Sequence, residues 1–487
     1  MTRTLSKSRL MAFRQCPKRL WLQIHQPELA TVDTGREARF AAGNKVGEIA
    51  RQLQPGGHLI PHVDDFATAR RNTRELLATD GDVVLFEPAF SADGALARVD
   101  VLQRRDGKTR LMEVKSATSV KEQYYEDVAV QVWVVERTGL PLESVAVAHI
   151  DNTFVYGGDG NYAGLFREVD VAAQVRPLQE QVPRWIASAQ RMLQGELPPT
   201  TIGTHCTLPY TCEFMAWCGR NEPEYPVTIL PRATKLHAQL HAEGLRDLKD
   251  VPEGRLTNPK HVTIWRATTA GKAEIDRNVA AALRDLPYPR SYMDFETIAP
   301  AVPLWKGTRP YQRIPFQWSC HVQDAAGGLV ARHALITSGD DPRRRFAETL
   351  IACVAPEGPV FTYNAGFERG VLIELAQFLP QFERALHDIA DRLVDLLPIA
   401  RSHYYHPAMM GSWSLKAVLP TIAPDLDYAN LDEAVQTGGD IEATFMEIIS
   451  AGTTEERKNA LESALLTYCN RDTLALVRLA AFFQDIR

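Results

Sequence analysis

The sequence predicts an α/β fold spread over more than one domain. Three observations carry this expectation. The chain has 487 residues, more than one hydrophobic core usually serves. Short β-rich runs such as ARVDVL, TRLMEV, SYMDFETI and GPVFTYN alternate with longer runs of helical period. Strands come before a helix in each half, an order that suits mixed α/β units.

Composition narrows the class. Hydrophobic content of 45% and charged content of 23% are ordinary for a globular protein. Seven cysteines are too few for a secreted disulfide framework in a chain of this length. The start, MTRTLSKSRLMAF, lacks the long apolar core and cleavage site of a signal peptide. No run reaches the roughly 18 apolar residues of a membrane span. The expected place is the reducing cytoplasm, with no membrane partner. A net charge of −6 argues against a broadly basic nucleic-acid coat but leaves room for a local basic groove.

Three segments are expected. Residues 1–222 form one mixed α/β unit closed by THCTLPYTCEFMAWC. Residues 223–288 form a polar helical connector. Within it LHAEGLRDLKDVPEG reads as a helix-hairpin-helix or as a plain connector. Residues 289–487 form a second α/β unit that ends in a long helical run.

The first chemical candidate is GALARVDVLQRRDGKTRLMEVKSAT. Asp106-Gly107 is a strong hairpin turn. If those two residues make the loop, Arg105 faces Lys108 and Asp100 falls opposite Glu113. Alternation then puts Glu113 and Lys115 on one face, Met112 and Val114 on the other. Two carboxylates there would hold Mg²⁺ or Mn²⁺, and the lysine would orient water and stabilise phosphate charge. An exposed hairpin with a charged wet face would show the same short pattern. The next run, YYEDVAVQVWVVERTGL, reads as a helix with Gln131 near its middle. Its Tyr124, Tyr125 and Trp133 are either base-stacking groups or core.

The cysteines form a second pattern. Cys206, Cys212 and Cys218 are separated by five residues each. Soft thiolates suit zinc or iron–sulfur centres. Zinc usually shows tight C-x₂₋₄-C knuckles, which are missing here. Wider gaps with a remote fourth ligand fit a four-cysteine cubane better. Zinc with His205 as a ligand, or simple buried thiols, are the other readings. Cys320, Cys353 and Cys469 sit in apolar surroundings and are expected to pack in cores.

LSKSRL…CPKRLWL, ARVDVL, MEVKSA, the Gln131 helix and the three late cysteines together resemble a known family. It is that of the RecB-type PD-(D/E)xK nucleases carrying an iron–sulfur cluster, such as the AddB-like and CRISPR-associated RecB-like exonucleases. The resemblance covers about residues 1–220. It implies a restriction-endonuclease-like fold, metal binding by Asp100 and Glu113, a water-positioning Lys115 and an active-site Gln131. It also supplies Cys16 as the fourth ligand of a 4Fe-4S cluster, which would staple the first helix to the end of the domain. One departure is plain. Relatives carry a histidine ligand in a G-x-x-x-H pattern, and GNKVGEIA has Gly47 at that place, with Glu48 beside it as a substitute.

The second half holds another acidic set. Asp294 and Glu296 alternate on the strand SYMDFETI, where a buried acidic pair is costly without a metal or basic partner. Glu368 lies four residues after Asn364, and Asp472 four after Tyr468, one helical turn in each case. Asp395 is expected on a helix surface, with a place near this acidic set as the other reading. The set resembles the DEDD-type 3′–5′ exonucleases of the RNase H-like fold, which carry D-x-E on the first strand, a second acidic motif and Y-x₃-D on a late helix. That implies two Mg²⁺ ions on Asp294, Glu296 and Asp472, and a water-positioning Tyr468. Glu368 stands where the second motif usually has Asp. The whole chain is similar to an uncharacterised bacterial family that fuses both units. The resulting expectation is a Mg²⁺/Mn²⁺-dependent deoxyribonuclease acting on single strands or ends, in repair or defence against foreign DNA. An RNA exonuclease, or a nucleic-acid-binding scaffold with a structural or redox-sensing cluster, are the alternatives.

Overall fold

The computed structural model describes residues 4–31, 34–61, 65–278, 283–426 and 438–485. It is mixed α/β and divides into two compact units. The first is Met1–Asn221 with Pro300–Gln312, the second Glu222–Ala299 with Arg313–Arg487. The main break thus falls beside the expected boundary at 222. Two segments group differently from expectation. The connector 223–288 belongs to the second unit, where Val227, Leu240, Leu248 and Ile264 share a core with Tyr292 and Phe361. Residues 300–312 belong to the first unit, where Ala301 and Val302 pack with Val46, Ile49 and Ile150. In both cases the apolar residues that decide the grouping find partners far away in sequence.

In the first unit the helices are α1 Lys7–Gln15, α2 Pro17–His25, α3 Thr34–Gln52, α4 Phe66–Leu77, α5 Glu122–Arg137, α6 Ala172–Val175, α7 Val182–Gln194 and α8 Met215–Gly219. The strands are β1 Leu5–Ser6, β2 His58–Leu59, β3 Val83–Phe86, β4 Ala89–Ala92, β5 Ala95–Arg98, β6 Val101–Arg105, β7 Lys108–Lys115, β8 Ser144–Ile150 and β9 Phe166–Asp170. The main sheet runs β2-β3-β6-β7-β8-β9, and β1-β5-β4 forms a small second sheet. Asp106 and Gly107 both have positive φ, at 50° and 73°, the backbone of a two-residue I′ hairpin. This turn fixes the register from Arg105↔Lys108 to Val101↔Met112. The ladder stops there, one residue short of the Asp100–Glu113 pair that the sequence predicts. β7 and β8 are parallel and therefore need a crossover. Helix α5 supplies it, and its Val128–Val135 stretch lies in the core. A helix apolar nearly all round is a buried helix, and Gln131 sits in its middle with no exposure.

In the second unit the helices are α9 Thr234–Ala242, α10 Pro259–Ala270, α11 Arg343–Cys353, α12 Gly366–Phe378, α13 Glu383–Asp391, α14 Leu396–His403, α15 Leu415–Ile422, α16 Gly438–Ile448 and α17 Glu455–Asp485. The strands are β10 Glu274–Ile275, β11 Arg290–Ile298, β12 Ile314–Gln323, β13 Leu329–Leu335, β14 Val360–Thr362, β15 Leu393–Asp395 and β16 Tyr404–Tyr405. The main sheet runs β13-β12-β11-β14-β15. β11, β12 and β13 are an antiparallel meander, and β14 and β15 extend it in parallel on the other side of β11. Met293 and Phe295 face the core under α11 and α12. The alternate residues Tyr292, Asp294 and Glu296 therefore face the opposite way. On that side lies α17, whose buried stripe includes Leu461, Leu465, Tyr468, Cys469, Asp472, Leu476, Leu479 and Phe483. The second helix of a helix-hairpin-helix is not formed in LHAEGLRDLKDVPEG; a single 3-10 turn, Leu248–Asp250, stands there instead. No described helix is long and apolar enough to cross a membrane.

The approach of β14 to β11 depends on one glycine. Gly358 has φ +80°, and a Cβ there would lie 2.0 Å from the carbonyl oxygen of Pro289. Gly254 has the same φ with nothing within 4 Å. Gly358→Ala should therefore destabilise the second unit by more than the about 1–3 kcal/mol of backbone strain alone, and clearly more than Gly254→Ala. Urea unfolding of the two variants measures the difference.

Candidate active sites

In the first unit Glu113 is the hub. It is 1% exposed. Its Oε1 accepts from Lys115 Nζ at 2.6 Å and Lys7 Nζ at 3.0 Å, and its Oε2 from Gln131 Nε2 at 2.7 Å. Asp127, one turn before Gln131 on α5, pairs with Lys115 at 2.7 Å and with Lys7 at 3.2 Å. Asp100 Oδ2 accepts the backbone N–H of Val114 at 2.7 Å. The four predicted residues come together, and Lys7 and Asp127 join them unannounced. Asp127 had a signal in the sequence, since it is four residues before Gln131 on one helix face. Lys7 opens α1 behind the Ser6 cap, and only the fold brings it to β7.

Burial opposes the charge on Glu113, but Lys115 and Lys7 outweigh it and hold the carboxyl well below its usual range. Burial also opposes the charge on both lysines, and Asp127 and Glu113 more than restore it. Asp100 goes the other way. Burial, with the charge of Glu113 added, pushes it up to about 8. Gln131 Oε1 is buried without a hydrogen-bond partner, an unused acceptor beside Glu113. Hard oxygens from Asp100, Glu113 and Gln131 suit Mg²⁺ or Mn²⁺.

Other expectations in this unit change. Glu48 is exposed and paired with Lys45 at 3.0 Å, so it does not join the site. Tyr125 and Trp133 pack in the core, so neither offers a face to a base. Tyr124 is buried, with the Lys115 ammonium 5.2 Å from its ring centroid. Glu87, at φ 56° in the turn after β3, is held up by burial and by the charge of Glu113.

Cys16, Cys206, Cys212 and Cys218 line one recess together with Lys18, Arg19 and His205. The recess has about 320 Å³ of unfilled space, its open mouth included. Cys16 ends α1 and starts α2. Protein contacts already clamp this corner. Gln15 Nε2 donates to the carbonyls of His205 and Tyr210, and Glu213 is held by Arg19 at 2.8 Å and Gln23 at 2.6 Å. A tetrahedral zinc ion with sulfur at about 2.3 Å would draw thiolates to within about 4 Å of each other. Among the described residues no three of these sulfurs lie within 4.8 Å of one another. Burial pushes Cys212 up to about 11 and raises Cys218.

In the second unit Asp294 and Glu296 meet α17. Their carboxylate oxygens and Cys469 Sγ lie within 4.8 Å of one another. Asp472 is buried one turn further along and its charge raises both carboxyls. Glu368, in the first turn of α12, is 2% exposed and its Oε2 has no hydrogen-bond partner. Burial pushes it up to about 8, and its field also raises Asp294 and Glu296. Burial first, and Asp472 next, push Glu296 up to about 8 and Asp294 well above its usual range. Lys416, the second residue of α15, works against this at Glu296, and its ammonium lies 4.9 Å from the Tyr468 ring centroid. Burial and the neighbouring carboxylates raise the Tyr468 phenol, which keeps it a proton donor. Asp294 and Glu296 lie within β11 on the face covered by α17, and Glu368 follows the carboxyl end of the neighbouring parallel strand β14.

Two expectations are corrected. Cys320 and Cys353 do lie in an apolar core, but Cys469, buried as expected, faces the carboxylates. Helical period, not sequence neighbours, sets its surroundings. Asp395 is no helix-surface carboxylate. It ends β15, caps α14 by accepting from Leu397 N at 2.9 Å, and accepts from Asn364 N at 2.9 Å.

The raised carboxyls make stability depend on pH. A carboxyl raised in the folded state contributes stability below its unfolded pKa of about 4, and that contribution is lost as pH rises through the folded value near 8 for Glu296 and Glu368. A cation held by these carboxyls would restore it. Mn²⁺ at a fixed concentration, a hundredfold above its Kd at pH 8.5, would stabilise by about 2.7 kcal/mol, or roughly 5–10 °C for a unit of this size. That increment should grow from pH 6 to pH 8.5 and vanish from the second unit in Asp294→Asn, as followed by calorimetry.

Residues 291–414, from β11 to the residue before α15, match the model of a domain of unknown function, DUF2779. This span holds Asp294, Glu296 and Glu368 and stops short of Lys416, Tyr468 and Asp472. A protein of Mycoplasma pneumoniae described as "Uncharacterized protein MG366 homolog" is 26% identical over 213 residues, covering 40% of this chain and 32% of the relative. The chain thus matches about a third of that relative's length.

Proposed function

We propose that this protein is a metal-dependent nuclease that hydrolyses phosphodiester bonds in DNA, acting on single strands or ends. One observation carries the reading. Lys115, Lys7 and Gln131, from three separate elements, grip the single buried carboxylate of Glu113, next to Asp100. Such convergence fits a PD-(D/E)xK site and is hard to explain as the wet face of a hairpin.

In the first unit Asp100 and Glu113 would hold Mg²⁺ or Mn²⁺. The ion, when bound, lowers the pKa of water and neutralises phosphate charge. Lys115 holds an ammonium where charge develops on the phosphorus oxygens and orients the attacking water. Gln131 fixes the rotamer of Glu113, and Asp127 fixes both lysines. In the second unit Asp294, Glu296 and Asp472 would hold the cations of an RNase H-like, DEDD-type site. Glu368 supplies the further carboxylate there. Tyr468, kept protonated, donates to the nucleophilic water. The four cysteines of the first unit would hold a 4Fe-4S cluster, whose role is to clasp α1 and α2 to the end of that unit.

The test is cleavage of end-labelled DNA and RNA by anaerobically purified full-length protein with Mg²⁺ or Mn²⁺. Lys115→Ala and Asp294→Ala should each reduce DNA cleavage by their own site about 100-fold or more, and the double variant should be inert. If neither single change nor the double alters any cleavage, the reading is wrong. Cleavage of RNA alone would move the substrate to RNA.

The cluster has its own readout. The wild-type protein should be brown with broad visible absorbance. Cys212→Ala should lose the colour and lower the melting temperature before it changes any rate constant. A fully folded, coloured Cys212→Ala protein that loses only turnover would contradict the clasp.

A further inference from the structure

We propose that Cys469 is a sulfur ligand at the Asp294–Glu296 centre, so that this centre discriminates in favour of thiophilic divalent cations such as Zn²⁺, Co²⁺ or Cd²⁺ over Mg²⁺. The inference rests on the metal-holding part of the nuclease reading and not on hydrolysis.

The donor spacing is close to what one coordination sphere needs. Donors about 2.0–2.3 Å from a cation lie at most about 4.6 Å apart. The Asp294, Glu296 and Cys469 donor atoms fall within 4.8 Å of one another. Among the described residues no other trio of His, Cys, Asp or Glu does so. A second, independent observation points to a missing partner. Glu368 is 2% exposed, and its Oε2 has no hydrogen-bond partner. Its field reaches both Asp294 and Glu296. Half-buried Asp294 and Glu296, buried Cys469 and the unpartnered, buried Glu368 carboxyl thus act on one another, and a cation would neutralise the charge that burial makes costly.

Packing does not account for Cys469. Cys320, a thiol used for packing, lies among Met293, Phe346 and Leu350. Cys469 is fully buried, three residues before Asp472 on α17, with carboxylates for neighbours. When a thiophilic cation binds, the S–H bond breaks, an Sγ–metal bond forms, and the proton leaves to the buffer, with no change of oxidation state. Mg²⁺ is hard, prefers oxygen and water, and leaves the thiol protonated.

Cobalt is the probe, because thiolate–Co²⁺ charge transfer absorbs in the near ultraviolet and oxygen ligation does not. Full-length protein with its four-cysteine site intact is titrated with Co²⁺, as wild type, Cys469→Ser and Asp294→Asn. The wild type should gain one equivalent of charge-transfer absorbance that both variants lack. Any band from the four-cysteine site should stay equal in all three. Excess Mg²⁺ should displace Co²⁺ less readily from the wild type than from Cys469→Ser. An unchanged increment in Cys469→Ser overturns the proposal. Should that variant fail to fold by near-ultraviolet circular dichroism, Asp294→Asn decides, and an increment kept there overturns it equally. A Cys469-dependent band without any cleavage keeps this inference and removes the nuclease reading. Cleavage that depends on Asp294 with no Cys469-dependent band does the reverse.

Discussion

Carboxylates buried beside one another cannot all be ionised unless positive charge is buried with them, and much of the arrangement in both units follows from that constraint. Taking one carboxylate out of water costs several kcal/mol, and a second close by adds repulsion. The first unit meets the constraint with its own cations. Lys7 and Lys115 lie between Glu113 and Asp127, at 2.6–3.2 Å. The outcome is one strongly acidic carboxyl, Glu113, and one reluctant one, Asp100. The second unit assembles Asp294, Glu296, Glu368 and Asp472 with Lys416 reaching Glu296, and several of its carboxyls stay raised.

The two folds hold their acids in the same mechanical way. Each puts part of its set on a strand with neighbours on both sides, Glu113 on β7 between β6 and β8, and Asp294 and Glu296 on β11 between β12 and β14. Each then lays a buried helix over that strand. Helices α5 and α17 are largely apolar along the covered face; the site groups there are Asp127 and Gln131 in one and Tyr468, Cys469 and Asp472 in the other, with Thr473 also buried and bonded to Ser319 and His321. A polar side chain in such a stripe is tolerated only when something satisfies it. Gln131 is satisfied on its Nε2 by Glu113. Positions on rigid elements are also the ones that keep reacting groups aligned.

What could be read in the sequence was whatever local chemistry decides. The Asp106-Gly107 turn sets its own backbone, so the register and the meeting of Asp100, Glu113 and Lys115 were legible. The helical spacing of Tyr468 and Asp472 was legible too. The same spacing argument would have found Asp127 and would have put Cys469 with Asp472 rather than in a core. Asp395 before Leu396-Leu397 had the look of an N-cap. Lys7, the regrouping of 300–312 and the packing of 223–288 with the second unit were not legible. Each is decided by contacts between residues far apart in the chain, which no local period records.

The two centres should therefore treat a cation differently, for reasons already present before any ion binds. In the first unit a divalent ion at Asp100 and Glu113 would compete with Lys7 and Lys115 for the oxygens of Glu113. Part of what it gained from Glu113 would be returned as those ion pairs loosened. Metal binding there would exchange one counter-charge for another. In the second unit an ion would displace protons from raised carboxyls, and the soft Cys469 sulfur would favour a soft ion over a hard one. The first centre is balanced by side chains and the second largely by protons, so occupancy of the second would follow pH and metal identity more closely.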